Sequence, residues 1–187
     1  LGSRATFCLV LGGERIGRKV NLDIGRVHYD FIRFVGTTGS DPADGYAWVP
    51  ATGELRAGDK VAIIGAAGPM GTMHTIRAVT SGVEGISVTG TDVSTDRLRH
   101  LAAIVDPIAE ARGVPFTYIN SAETQLQPGY THLSCMVPVP ALVSQAVDLA
   151  ADGAILNAFA GIPAGTTGEF DLQGIVERRI FMLGTSG

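Results

Sequence analysis

Short uninterrupted apolar runs alternate along this chain with longer segments in which apolar residues recur every three or four positions. The runs predict strands over residues 7–11, 32–36, 61–65, 86–91, 116–119, 132–137, 154–159 and 180–184. The spaced pattern predicts helices over 70–81, 94–112 and 141–151, with shorter ones near 23–29 and 171–177. Because the strand runs are continuous and not alternating, both faces of the sheet are expected to be covered, as in a parallel sheet with crossover helices. The fold class is therefore α/β, a Rossmann-type three-layer sandwich around a mostly parallel six-stranded sheet. Residues 39–58, rich in Gly, Pro, Asp and Thr, predict a connection carrying at most one short helix.

The chain also resembles itself. A shift of 148 residues places Gly13 on Gly161, Gly17 on Gly165, Asp23 on Asp171, Ile32 on Ile180, Gly36 on Gly184, Thr37 on Thr185 and Gly39 on Gly187. Each copy reads as a loop, a short helix and a strand closing on G-T-[TS]-G, and fixed-period similarity of this kind marks repeated units. We read residues 1–40 as the tail of a preceding Rossmann-like unit, 41–56 as a connection and 57–187 as a complete dinucleotide-binding unit, all within a longer protein. The tail adds strands beyond six. The strand at 32–36 is expected to pair with its copy at 180–184, within one chain as a pseudo-dimer or between two chains as a homodimer, which covers an otherwise open sheet edge.

Composition narrows the class of ligand. With 45% hydrophobic and 17% charged residues in 187, there is enough apolar surface for one sizeable core. A net charge of −4 offers no basic footprint for nucleic acid. No apolar stretch reaches membrane-spanning length, so no membrane partner is expected. Cys8 and Cys135 sit far apart in apolar runs and read as reduced core thiols of a cytoplasmic protein.

The segment VAIIGAAGPMG then stands out. Gly65, Gly68 and Gly71 give the backbone after a buried strand the freedom to turn sharply and approach a ligand closely. Pro69 suits the first helical turn. The N–H groups of the helix start, with the positive end of its dipole, form a cradle for a pyrophosphate. A dinucleotide site further requires an acidic residue about 20 positions on, at the end of the second strand. Asp92, 21 residues beyond Gly71, answers that requirement. A carboxylate there accepts both ribose hydroxyls and repels a 2′-phosphate, which favours NAD over NADP; Arg97 and Arg99, nearby, leave a phosphate clamp open. The alternative is a tight strand-to-helix turn in which Asp92 caps the next helix.

On these residues the chain resembles the medium-chain dehydrogenase/reductase family, the zinc-type alcohol and polyol dehydrogenases. GELRAGDKVAIIGAAGPMG is similar to the entry to their coenzyme domain, and the element order over 55–187 follows, with a closing segment like that of sorbose-phosphate-reductase and sorbitol-type members. One position departs: Ala66 stands where the family carries its first glycine. The resemblance implies a coenzyme site built from Gly65, Ala66, Ala67, Gly68, Pro69, Met70, Gly71, Asp92, Val93 and Arg97. Topology adds Met136, Val137 and Pro138 after the fourth strand, under the riboses, and Ala160, Gly161 and Ile162 after the fifth, near the nicotinamide. The alternative for these last six is a Pro-stopped strand end and an ordinary Gly turn.

The family's zinc ligands and proton relay belong to a separate catalytic domain, and nothing in this chain matches them. His28, His74, His100 and His132 are not spaced as ligand pairs, so no metal is expected here. His74 reads as packed or solvated, and His28-Tyr29, though it looks like a relay pair, reads as structural because its copy is Val176-Glu177. The expectation is the NAD-binding part of a dehydrogenase for an alcohol or polyol, able to bind a dinucleotide without turning anything over alone. The alternatives are a nucleotide-sensing or purely structural module and an S-adenosylmethionine binder.

Overall fold

The computed structural model describes residues 2–185. The correspondence of Gly39 with Gly187, and the last two residues of the closing G-T-S-G, lie outside them. Residues 60–183 build β4 (Lys60–Ile64), α3 (Pro69–Val79), β5 (Ser87–Asp92), α4 (Thr95–Arg112), β6 (Phe116–Asn120), β7 (Tyr130–Cys135), α5 (Pro140–Leu149), β8 (Ala150–Ala158), β9 (Thr167–Phe170), α6 (Leu172–Glu177) and β10 (Phe181–Leu183). Before them come β1 (Thr6–Val10), β2 (Val20–Asp23), α1 (Ile24–Tyr29), β3 (Arg33–Thr37) and α2 (Pro42–Tyr46).

Eight strands form one sheet in the order β1-β3-β10-β8-β7-β4-β5-β6. Every pairing in it is parallel except β3 with β10. The fold is thus Rossmann-type, with six strands from residues 60–183 and two more from residues 6–37. Helices α3 and α4 pack on one face over a core that includes Val61, Ile63, Val88, Leu98 and Leu101. The other face, under α1, α5 and α6, holds the larger core, including Ile24, Leu133, Val143, Leu156 and Ile175. Burial is continuous over 61–64 of β4, 132–135 of β7 and 154–156 of β8, whereas β1 and β6, at the edges, are only partly covered.

The repeat is a pseudo-dyad. Antiparallel β3 and β10 place Phe34 opposite Met182, and the separate two-stranded sheet of β2 and β9 places Asn21 opposite Glu169. Both pairs are 148 residues apart, so both two-fold contacts lie on one local axis. Asp23 and Asp171 cap α1 and α6 by accepting from Arg26 N and Gly174 N. Phe31 and Arg179, one shift apart, both stand in the left-handed region at φ 53° and 54°. Gly17 N donates to Gln173 Oε1 and Gly165 N to Asp23 Oδ2, so each half's turn is held by the other half. The expected pairing therefore occurs within the chain.

Four elements differ from expectation. β2 and β9 were read as loop; each has only four residues and among the described residues its one strand partner is the other, some 150 positions away, a contact that no local pattern announces. β8 begins at Ala150 where 154 was expected, and α5 stops at Leu149, because Ala150 is already extended at ψ 137°.

The base of the sheet is tied by Asp59, whose carboxylate accepts from Arg56 N, Arg56 Nη2 and Thr131 Oγ1. Beside it His132 is 7% exposed, its Nε2 donating to Gly53 O at 3.1 Å and its Nδ1 without a partner. Burial holds its pKa below the ordinary value, against the Gly53 carbonyl and the charges of Asp59 and Glu54, which pull upward, while Arg56 adds to the lowering. His28 is shifted the same way by burial. A base whose folded pKa is depressed takes up its proton more readily when unfolded. Stability is therefore expected to be level above pH 6.5 and to fall as the pH drops below it, by up to about 1.4 kcal/mol per pH unit for each histidine. Urea unfolding midpoints at pH 7.5 and 5.5 measure this, and His132→Gln should remove roughly half of the slope.

Candidate coenzyme cleft

The order in which the chain adds strands reverses between β4 and β7, and the carboxyl ends of strands at such a switch point frame a crevice. A cleft of about 250 Å³ lies there, bringing together Gly65, Asp92, Val93, Arg97 and Val137 of the expected site. Its remaining wall comes from the β6–β7 connection, with Thr124, Gln125 and Leu126, and from Leu142 and Gln145 of α5. These went unrecognised, since the connection has neither periodicity nor motif.

The glycines of the turn have separate reasons. Gly65 is left-handed at φ 82°, and a side chain there would run into Val137 Cγ2. Gly71 lies directly on the turn, where an added Cβ would collide with Gly65 O and lie 2.6 Å from Ala66 Cα. Gly68 is different: its φ of −80° is ordinary and an added Cβ would meet only Gly65 O, at 3.6 Å. Nothing in the protein requires glycine at that point. Ala66, where the family has glycine, is fully buried, and its methyl rests against Gly90, which carries no Cβ to meet it. The departure is thus absorbed on β5, on the side away from the cleft.

Gly68 N itself donates to Gly65 O at 3.3 Å, closing the turn. That amide is therefore not free for an anion, and Pro69 has none. Among the described residues the first helix-start amides without a backbone partner are those of Met70 and Gly71, so the anion cradle begins about one residue later. Ala67 packs toward the α3–α4 core, while Pro69 and Met70 are exposed.

Asp92 ends β5 with its side chain only 6% exposed. Its Oδ1 accepts from Ser94 N at 3.1 Å and from Arg97 Nη2 at 2.7 Å. It does not cap α4; Ser94 does, accepting from Arg97 N. Arg99 pairs with Asp96 and stays away from the cleft lining.

Beyond β7 the assignments divide. Met136 packs against the α3–α4 core, and Pro138 is exposed and does not line the cleft. After β8, Ala160 is 4% and Ile162 1% exposed, both turned into protein, and Gly161 alone is open. The side chains of Ala160 and Ile162 are thus buried in protein, and Pro138 lies outside the cleft lining. Cys135 is fully buried with its thiol pushed up to about 11, an inert group. Among the described residues no three His, Cys, Asp or Glu side chains gather as a metal site, and no helix is long and apolar enough to cross a membrane.

No protein-family model matches the chain. Over 118 residues it is 27% identical to uncharacterized protein YggP of Escherichia coli (strain K12), a match spanning 57% of this chain and 28% of that protein. Among solved structures, an alcohol dehydrogenase zinc-binding domain protein from Burkholderia ambifaria superposes with TM-score 0.55 at 20% identity, over 71% of this chain and 34% of its own. Acetophenone reductase from Geotrichum candidum in complex with NAD gives 0.52 at 19%, covering 71% and 35%. A Sinorhizobium meliloti protein classed as a zinc-binding dehydrogenase, bound to NADP, gives 0.58 at 16%, covering 71% and 38%. The chain thus spans between about a quarter and two fifths of the length of these relatives. Its fold is the Rossmann-type fold of the zinc-type alcohol and polyol dehydrogenases.

Proposed function

We propose that this chain binds a nicotinamide dinucleotide, NAD in preference to NADP, as the coenzyme-holding part of a cytoplasmic dehydrogenase that acts on an alcohol or polyol. Gly68 carries the reading. Gly65 and Gly71 are explained by the fold, whereas Gly68 has room for a side chain that the sequence does not use. A bare backbone at the entrance of a helix, with free amides just beyond, suits a ligand phosphate that must come within contact distance. Asp92 supports the nucleoside end: its Oδ1 is engaged by Ser94 and Arg97, and its Oδ2 has no hydrogen-bond partner among the described residues. Ribose hydroxyls can donate to that oxygen, and a 2′-phosphate would meet its charge.

On the same reading, residues 57–187 form the complete unit and 1–40 the tail of an earlier one, folded onto it as an internal pseudo-dimer. Substrate chemistry would come from groups outside this segment. The dinucleotide would supply hydride transfer; this chain's own residues would hold and orient it.

Calorimetric titration with NADH, NADPH and S-adenosylmethionine tests the proposal, with Gly68→Ala as the decisive variant. NADH is expected to bind most tightly. Gly68→Ala should leave the melting temperature nearly unchanged while weakening NADH by on the order of tenfold, since the added methyl stands in the path of the phosphate. An alanine variant that binds NADH as well as the parent, or a parent that binds S-adenosylmethionine alone, would overturn it.

A further inference from the structure

The two ends of the pseudo-dyad have diverged where they face solvent. Helix α1 packs on the end of β10, where a Cβ on Gly184 would collide with the Val27 carbonyl and lie 2.8 Å from His28 Cα. Helix α6 packs in the same way on the end of β3, with Val176 Cγ2 2.6 Å from where a Cβ on Gly36 would sit. Each half thus covers the strand end of the other. The mates of His28 and Tyr29 are Val176 and Glu177, and the mouth on the α6 side is polar, lined by Thr37, Asp44, Glu177 and Arg179 beside Trp48. The mouth on the α1 side is a line of rings. His28 stands edge-on to Tyr29 at 4.6 Å and to Phe159 at 6.0 Å, and Phe159 stands edge-on to His74 at 4.5 Å.

That line leads to the phosphate turn. His74 belongs to α3, and its Nδ1 lies 2.9 Å from the carbonyl of Met70, whose amide is one of the free donors. At the other end Tyr29 is 55% exposed, with its hydroxyl 3.1 Å from where a Cβ on Gly161 would stand. Gly161 is the open residue after β8. His28 beneath it is 7% exposed, and its Nδ1 has no partner. A half-exposed phenol on a buried imidazole, set against a bare glycine at a strand end, is a surface arranged to receive something planar and polar.

We propose that α1, an element of the amino-terminal half, completes the far end of the coenzyme cleft, and that Tyr29 contacts the nicotinamide group of the bound dinucleotide. The proposal rests on the coenzyme reading above and deepens it. From Asp92 on β5 to Gly161 after β8 the sheet crosses β4 and β7, three strand spacings or about 14 Å, within the span of an extended dinucleotide. Adenosine at Asp92 and the pyrophosphate at the start of α3 direct the remaining ring toward Gly161. There the Tyr29 hydroxyl can donate to a carboxamide oxygen or accept from its NH₂, and the ring offers an apolar edge.

Binding of NADH and of ADP-ribose, which lacks the nicotinamide, separates the possibilities in the chain and three variants. Tyr29→Ala, at an exposed position, is expected to weaken NADH about tenfold and to leave ADP-ribose within roughly twofold, with Tyr29→Phe in between. Glu177→Ala, the same place on α6, should change neither. Equal losses for both ligands in Tyr29→Ala, or no loss of NADH, would overturn the proposal while ADP-ribose binding by the parent keeps the coenzyme reading standing. A parent chain that binds neither ligand removes that reading and this proposal together.

Discussion

Gly71→Ala is expected to destabilise the chain by about 3 kcal/mol and to abolish measurable dinucleotide binding, although alanine is the better helix former. The new methyl would be directed at backbone, not at a side chain that could rotate away: Gly65 O lies in its path, with Ala66 Cα 2.6 Å away and Ala66 C 2.7 Å away. Relief requires α3 to withdraw from the turn. That turn is pinned on its other side, since Gly65 N and Ala66 N both donate to Thr91 O, at 2.9 and 2.8 Å. Withdrawal would pull the Met70 and Gly71 amides out of register with the cleft and loosen Thr75, whose hydroxyl donates to Gly71 O at 2.8 Å. Thermal unfolding with NADH titration measures both effects. Gly68→Ala, three residues earlier, supplies the contrast, because it should weaken binding with little loss of stability.

The core of the fold was legible because it is written in local patterns. Val61–Ile64 and the spaced apolar positions of 94–112 state their secondary structure without help from elsewhere, and the dyad was visible because both copies need the same turn glycines and cap aspartates. What stayed hidden depends on distant partners. β2 and β9 are each too short to stand alone and exist only through each other. The same division runs through the site. Gly65, Asp92 and Val137 could be placed together from the sequence because strand ends and switch points follow from topology, and they do line one cleft. Gln125, Leu126 and Gln145 were missed because a connection and a helix face acquire their role only when the chain closes over the cleft. That the Gly68 amide is spent on closing the turn was not legible either, because the acceptor, Gly65 O, is brought to it only by the folded turn.

For His28 and Tyr29 the copy in the sequence and the proposed cleft point to different roles. Comparison with Val176-Glu177 argued that a pair absent from the second copy is structural. The proposed role of Tyr29 reverses that inference, because the dyad brings α1 to the half that carries the β4–α3 turn and α6 to the opposite end. Symmetry fixes where both helices go, and only one of them arrives at a cleft bearing the phosphate turn. Divergence at those two positions is then what a site on one side alone would produce.

Gly184→Ala is expected to be at least as damaging as Gly71→Ala, about 3 kcal/mol or more, and its effect should appear in both halves of the chain. An added Cβ would collide with the Val27 carbonyl, with His28 Cα 2.8 Å away, so α1 must shift off the end of β10. Helix α1 is anchored by Asp23, which caps it and also holds Gly165 N, and Ile24 N donates to Thr166 O. Moving it therefore strains the β2–β9 pair, and with it the β3–β10 pairing at Phe34 and Met182. Amide exchange should rise at residues 20–23 and 33–35 together with 167–170 and 181–183, and much less in β4 and β5. Gly36→Ala, the dyad mate, should give a similar pattern, since Leu9 O and Val176 Cγ2 both lie 2.6 Å from its Cβ position. Gly161→Ala meets only the Tyr29 side chain, at 3.1 Å, and should cost far less. If exchange in Gly184→Ala rose only at 181–183, the tail and the complete unit would be independent bodies, and the dyad would be a resemblance without mechanical consequence.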